Sequence, residues 1–393
     1  MSVADVTICI PAWQAEAFIE RTLMCARAQT YKNVRILVSI DQSSDGTEAI
    51  CRNQAKDDPR LDIRVQTERL GWSENANFLL DQVDTEFCFL YFHDDIIEPR
   101  YTERLRQTLL DDPDAQSAHC DLEMFGNKQA FSPGRDFVGT AAERLIQFLV
   151  EPPQGRLLRS LFRSVLISKG LRFPVIAGDS FWRCYPFLTN LIAAGAARRV
   201  PELLYRRWAR DGSLTTSWGP KNKDLLVDGQ RQSAALQLHT IRSMNLPKAE
   251  EELVTFCLYV SSMALTRHHE LLLKTDELLK PDAICESFAA VQLPKNSPPI
   301  TSSLFDEVLC AYGRLLTLEA KHHMQRGDAR SALVSFATAL SLNPASHGNY
   351  AGIARILSDG GQGLTAAAVR QRARMLREAA AERLDRSHTP SVQ

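Results

Sequence analysis

No window of this sequence approaches about 20 uninterrupted apolar residues, and its first residues, MSVADVTICIPAW, lack the basic start and long apolar run of a secretory signal. An exported or membrane-spanning protein is therefore not expected, and cytoplasmic residence is. The 9 cysteines are scattered and odd in number, with no CxxC pair. That excludes a disulfide framework and a zinc knuckle and suits a reducing compartment. An excess of charge is missing as well: 46 Lys and Arg against 47 Asp and Glu leave a net charge of -1. Duplex nucleic acid is thus not an expected partner, although local basic patches are compatible with this balance. What remains is a chain of 393 residues, 45% hydrophobic and 24% charged, long enough for two domains with cores of their own.

The first half alternates short apolar runs with amphipathic stretches. VTICI (Val6 to Ile10), VRILVSI (Val34 to Ile40), LDIRVQ from Leu61 and FCFLYF from Phe87 read as strands. The stretch AEAFIERTLMCARAQ, through Phe18, Ile19 and Leu23, and the segment Ser73 to Val83 read as helices. DQSSDGT after the second strand carries turn and helix-cap chemistry. Strand and helix in alternation predict an α/β fold, a mostly parallel sheet with helices on both faces. Ligands of such sheets sit beyond the carboxyl ends of the strands. Pro11 to Trp13, Asp41 to Asp45, and Asp94 with Asp95 therefore belong on one rim.

FCFLYFHDDIIEP runs from an apolar strand straight into two adjacent carboxylates, Asp94 and Asp95. Such a pair is tolerable where a hard divalent cation and its phosphate ligands neutralise it. The plainer reading is a cap for the helix expected near Pro99. Taken with ICIPAWQAEAFIERTLMCARAQTYKNVRILVSIDQSSDGT and LGWSENAN, the stretch resembles the nucleotide-sugar domain of inverting family 2 glycosyltransferases of GT-A fold. The resemblance spans about the first hundred residues. It implies that Pro11, Ala12 and Trp13 line the base and ribose pocket, Trp13 being otherwise a core aromatic. It implies that Asp41 meets a uracil N–H, and that Glu16, Arg69, Gly71 and Asn77 belong to the same nucleotide-sugar site. Asp94 would face the ribose or diphosphate, and Asp95 would hold Mn²⁺ or Mg²⁺. Three departures stand out: Ile40 before Asp41, Phe92 in place of an outer acid, and Trp208 where many members carry a metal-binding His.

Further on, FPVIAGDSFWRCYPFL is similar to the family segment that carries a carboxylate base, which implies Asp179 as catalytic base. Direct displacement at an anomeric carbon needs such a base to take the acceptor's proton. An N-cap role for Asp179 is the alternative. Arg156, Arg159 and Arg163 follow a helical spacing that would suit an anionic acceptor, a lipid phosphate or peripheral contact with a membrane, or else a solvated helical face. The adjacent pairs His268–His269 and His322–His323 point about 100° apart on a helix and cannot chelate by themselves.

After about residue 220 long helical patterns take over, interrupted by LPKNSPPITSS. The expected division is a catalytic domain over 1–220 and a helical domain over 221–393. Within the latter, residues near 313–346 resemble one tetratricopeptide unit, with Gly327 at the turn, Ala332, Phe336 and Ala339 at packing positions, and Pro344 at the end. A single unit cannot bury its own faces, so neighbouring helices or a homodimer must complete it. The tail RLDRSHTPSVQ is expected to be disordered. The function expected is transfer from a nucleotide sugar, a UDP-sugar by the uracil assignment, to Ser, Thr or Cys of a peptide or protein. Surface-polysaccharide or lipid-linked glycan synthesis is the other acceptor class. A non-catalytic scaffold with a decayed sugar-binding half is the rival of another class, against which stands the joint retention of Asp41, Asp94, Asp95 and Asp179.

Overall fold

The computed structural model describes residues 4–150, 155–176, 181–211, 223–265, 302–342, 346–362 and 366–377. Four strands form one half of a mixed sheet: β1 (Val6–Ala12), β2 (Val34–Ile40), β3 (Leu61–Val65) and β4 (Phe87–Leu90). They pair in parallel in the order β3-β2-β1-β4, with Ile8 opposite both Ile36 and Phe89. β1 and β4 are buried along their whole length, as the uninterrupted apolar runs require of parallel strands covered on both faces. β3, at the edge, alternates Leu61 and Ile63 with Asp62 and Arg64, charges that discourage pairing with another chain. Between these strands lie α1 (Ile19–Arg27), α2 (Thr47–Ala55) and α3 (Trp72–Asp81).

The sheet continues past β4 through β8 (Leu161–Arg163), β6 (Ala115–Gly126), β9 (Ala196–Ala209) and the two-residue β5 (Ile96–Ile97), with β7 (Ala130–Ser132) beside β6. β6 and β9 run parallel, with register shifts around Asp121. Helices α4 (Tyr101–Asp111), α5 (Ala141–Val150), α6 (Val165–Ser168) and α7 (Cys184–Ala194) complete this region. The core joins Ile8, Ile10, Ile36 and Val38 to Phe89, Tyr91, Tyr101 and Tyr205, so both halves of the sheet share one apolar interior.

The described residues divide into two compact units, and one passage between them falls inside α9 (Lys248–Leu265), after Leu258. The preceding helix, α8 (Lys223–Ser243), stays with the first unit because it is bonded to α7 and the turn before it. Thr189 donates to Gln237 at 2.9 Å, Thr240 to Asn190 at 2.7 Å, and Ser233 to the Trp182 carbonyl at 2.9 Å.

In the second unit α10 (Ser302–Gln325) and α11 (Ala329–Leu342) are joined at Gly327, whose φ of +77° is left-handed. Ala332, Phe336 and Ala339 are buried, and a side chain at Gly352 of α12 (His347–Asp359) would collide with the Phe336 ring. His323 lies 3.6 Å from Asp328. Pro344, His268 with His269, and the terminal tail lie outside the described residues.

Candidate active site

The carboxyl ends of β1, β2 and β4 bring Trp13, Asp41 and Asp94 to one rim. The loops after β1 and β2 are laced together. Gln14, held at φ +45°, donates its backbone N–H to Ser43 and exchanges amide hydrogen bonds with Ser44 at 3.0 Å each. Glu16 donates its N–H to Asp45 at 3.0 Å and accepts from the Gly46 N–H at 3.1 Å. Burial works against the Asp45 charge, but hydrogen bonds from Thr47 and from the Glu16 amide outweigh it and hold the carboxyl below its usual range.

Asp41 is fully buried, and its carboxylate organises the loop that enters α3. It accepts the N–H groups of Leu70 at 2.8 Å and Gly71 at 2.9 Å, and Arg69 forms an ion pair with it. Gly71 has a φ of +85°, a left-handed conformation that a side chain would strain. The Arg69 guanidinium then lies over Trp13, 4.0 Å from the ring centroid. Arg69 thus covers one face of Trp13, and both Asp41 oxygens, expected from the sequence to meet a uracil N–H, are engaged by these donors. Pro11 and Ala12 are buried within β1, so Trp13 is the member of this trio that reaches the rim.

Asp94 and Asp95 face different ways, because the chain turns here, the Asp95 N–H donating to the Phe92 carbonyl at 3.1 Å before β5 begins. The Asp95 carboxylate points inward and is 2% exposed. Its Oδ2 accepts from Arg159 at 2.8 and 3.1 Å and from the Tyr205 hydroxyl at 2.8 Å, and its Oδ1 accepts the Trp208 N–H at 3.1 Å. Burial opposes the Arg159 charge, yet the attraction of Asp95 outweighs it and holds the guanidinium pKa above its ordinary value. Burial and the Asp95 charge push Tyr205 well up, so its hydroxyl stays a donor. Asp94 faces the rim instead, with Oδ2 3.2 Å from Nε of Arg210 and its carbonyl accepting from Arg21 at 2.9 Å. Trp208 fills the space beside them, edge-on to Phe18 at 5.3 Å and stacked on Phe125 at 6.0 Å.

These contacts do not fit the divalent cation expected at Asp95. Its oxygens are occupied by cationic and neutral donors, His93 has its Nδ1 3.1 Å from the Pro11 carbonyl, and position 208 offers an indole. Among the described residues there is no group of three or more His, Cys, Asp or Glu that could hold a metal ion.

Asn77, placed in the nucleotide-sugar site by the family resemblance, spends both side-chain atoms on the Phe173 backbone, at 2.9 Å each. It is a tether between α3 and the segment leading to 177–180. Asp179 lies outside the described residues, but the chain on either side is anchored to α3. Phe173 is held by Asn77, and Arg183 bonds Ser73 and, at 2.9 Å, the Ile176 carbonyl. The helix read through Arg156, Arg159 and Arg163 is instead a 3₁₀ turn (Leu157–Arg159) followed by β8. The three arginines part company: Arg156 bonds Ser132, Arg159 takes Asp95, and Arg163 bonds the carbonyls of Leu109 and Ala115.

A parallel half-sheet, an acidic rim and a mixed continuation through β6 and β9 make up a fold of GT-A type. Residues 7–159 match the model of "Glycosyl transferase family 2". It is 25% identical over 164 residues to the GalNAc(5)-diNAcBac-PP-undecaprenol beta-1,3-glucosyltransferase of Campylobacter jejuni, covering 42% of this chain and 53% of that protein. It is 28% identical over 106 residues to Glycosyltransferase GlyA of Streptococcus pneumoniae, covering 27% of this chain and 15% of that one. The chain thus spans about half, or less, of the length of these relatives. In fold it resembles S. aureus TarS 1-349 in complex with UDP-GlcNAc, with a TM-score of 0.56 over 96% of this chain and 91% of that one at 13% identity. The complex of the same protein with UDP gives 0.53 at 14% identity, over 84% and 90% of the two chains. Among the described residues, no helix is long and apolar enough to cross a membrane.

Proposed function

We propose that the protein transfers a sugar from a nucleoside diphosphate sugar, read as a UDP-sugar, to a hydroxyl of a glycan or lipid-linked glycan. The observation that carries this reading is the convergence of Trp13, Asp41 and Asp94 at the ends of adjacent strands of a family 2 domain. An aromatic face for the base lies on one side of that rim and a polar, arginine-lined edge for the diphosphate on the other. The relatives add the acceptor class, since the Campylobacter protein is named for a lipid-linked glycan. Asp179 is the proposed base: it takes the acceptor's proton while the nucleoside diphosphate leaves from the opposite side, and the anomeric configuration inverts. Buried donors around Asp95 and the loop bonds to Asp41 keep this rim preorganised.

A peptide or protein acceptor is the second reading, favoured by the helical hairpin of α10 and α11 with its buried Ala332, Phe336 and Ala339. One experiment addresses both. Purified protein is incubated with UDP- and GDP-sugars and either lipid-linked glycans or Ser-, Thr- and Cys-containing peptides, and products are identified by mass spectrometry. Transfer from a UDP-sugar to a glycan is expected. Asp179→Asn should lower that turnover by about 10² to 10⁴ while donor binding survives. Turnover on peptides alone would replace the acceptor class, and binding of no nucleotide would leave the scaffold reading.

A further inference from the structure

We infer that arginine side chains, Arg210 foremost, supply the positive charge opposite the donor's diphosphate, in the place where related folds use a divalent cation. The inference rests on the nucleotide-sugar reading above and specifies how that site neutralises its ligand.

A hard cation needs several oxygen ligands arranged around it, close to octahedral for Mg²⁺. The acid pair cannot provide them. Asp95 has both oxygens bonded, one to Arg159 and Tyr205 and the other to the Trp208 N–H, and freeing them would leave Arg159 buried without its counter-charge. Asp94 has one oxygen on Arg210. A cation would therefore find a single unengaged carboxylate oxygen, Oδ1 of Asp94, beside guanidinium groups that repel it.

An anion meets the reverse. Arg21 and Arg210 bond Asp94, Arg159 bonds Asp95, and Arg207 lies within electrostatic reach of Asp94, Asp95 and Arg159. Even without Arg207, the three guanidinium groups of Arg21, Arg159 and Arg210 contact two acidic residues, which favours an anion beside the end of β4. A sugar-linked nucleoside diphosphate is a dianion at neutral pH and matches that preference. Arg210 is the member best placed to meet it. Its guanidinium rests on the Phe18 ring, 4.3 Å from the centroid, and is 21% exposed. Nε is spent on Asp94, so the two terminal nitrogens remain as a planar pair of donors, the geometry that suits phosphate oxygens. The spacing fits as well. β2 and β4, which lead to Asp41 and Asp94, have β1 between them and so lie about 10 Å apart across the sheet, comparable to the reach from a stacked base to the phosphates on its ribose.

The test is calorimetric titration of the full chain with UDP, UMP and uridine, in EDTA and again in Mn²⁺. UDP affinity is expected to agree within about twofold between the two conditions. Arg210→Met should weaken UDP about 10- to 100-fold, the loss of hydrogen bonds to a charged group, and leave uridine unchanged. A uniform loss across all three ligands would indicate damage to the fold and overturn the assignment of Arg210. Tightening of UDP by more than about tenfold with Mn²⁺ would overturn the inference as a whole. The EDTA comparison on the unaltered protein decides this even where Arg210→Met fails to fold. If the unaltered protein binds UDP in neither condition, the donor-site reading itself falls, and the inference with it.

Discussion

Asp95 and Arg159 form a buried ion pair across 64 residues of chain, with guanidinium nitrogens 2.8 and 3.1 Å from one carboxylate oxygen. The Arg159 ring neighbours are Phe92 and Tyr205, with centroids 4.7 and 5.2 Å from its Cζ. Removing one partner strands the other charge among aromatics. Asp95→Asn or Arg159→Met is therefore expected to destabilise the fold by about 3–5 kcal/mol in denaturant unfolding. The double substitution Asp95→Leu with Arg159→Met should recover much of that loss. Asp94→Asn should move the unfolding midpoint little, because the Asp94–Arg210 pair borders solvent. Equal destabilisation by Asp94→Asn and Asp95→Asn would contradict the division of labour between them.

Trp13, proposed above to stack the base, carries the Arg69 guanidinium over its ring. Trp13→Ala is expected to weaken UDP binding by about 1–3 kcal/mol, the range for a stacked base, whereas Trp13→Phe should lose only part of it. Titration of both variants checks this, and unchanged affinity in Trp13→Ala would place the base elsewhere.

Between α2 and β3, Asp58 accepts from Arg60 at 2.7 and 2.9 Å and from Arg27 at 3.1 Å. The Arg60 hydrogen bonds hold its carboxyl down at about 2. The unfolded value is about 3.9, so the stabilisation is complete above pH ~4 and is lost as pH falls through 2. Asp58→Asn should cost about 1–2 kcal/mol at pH 7, screening by solvent included. The difference from the unaltered protein should close between about pH 4 and pH 2. Thermal unfolding across that range measures it, and a gap that stays constant would show that Asp58 acts through shape alone.

The strands were legible because their signals are local. Val34 to Ile40 appears in the structure with the bounds read from the sequence, and Val6, Leu61 and Phe87 each begin a strand as expected. The rim was legible for the same reason, since strand ends in an α/β sheet locate it. The partners at the rim were not. Asp41 is satisfied by the backbone of Leu70 and Gly71, 29 and 30 residues away, and no side-chain pattern announces a backbone donor. The acid pair reads in sequence as two equal carboxylates, but the turn closed by the Asp95 N–H on the Phe92 carbonyl sends one inward, and its counter-charge sits where the spacing of Arg156, Arg159 and Arg163 suggests a helix. Asn77 illustrates the converse. Its side chain tethers Phe173, a contact that depends on a segment 96 residues downstream.

The Asp95 bond to the Trp208 N–H also bears on how this part of the molecule breathes. A strand as short as β5, ahead of which Asp95 sits, would ordinarily fray, and its neighbour β9 would exchange amide protons with solvent near its end. Here the Trp208 amide is held by a carboxylate that is itself clamped by Arg159 and Tyr205. Because that carboxylate is buried and fixed, hydrogen exchange at the Trp208 amide should be slower than at an ordinary fraying strand end. The rim beside Asp94 is thereby braced from beneath by a buried, fully bonded carboxylate.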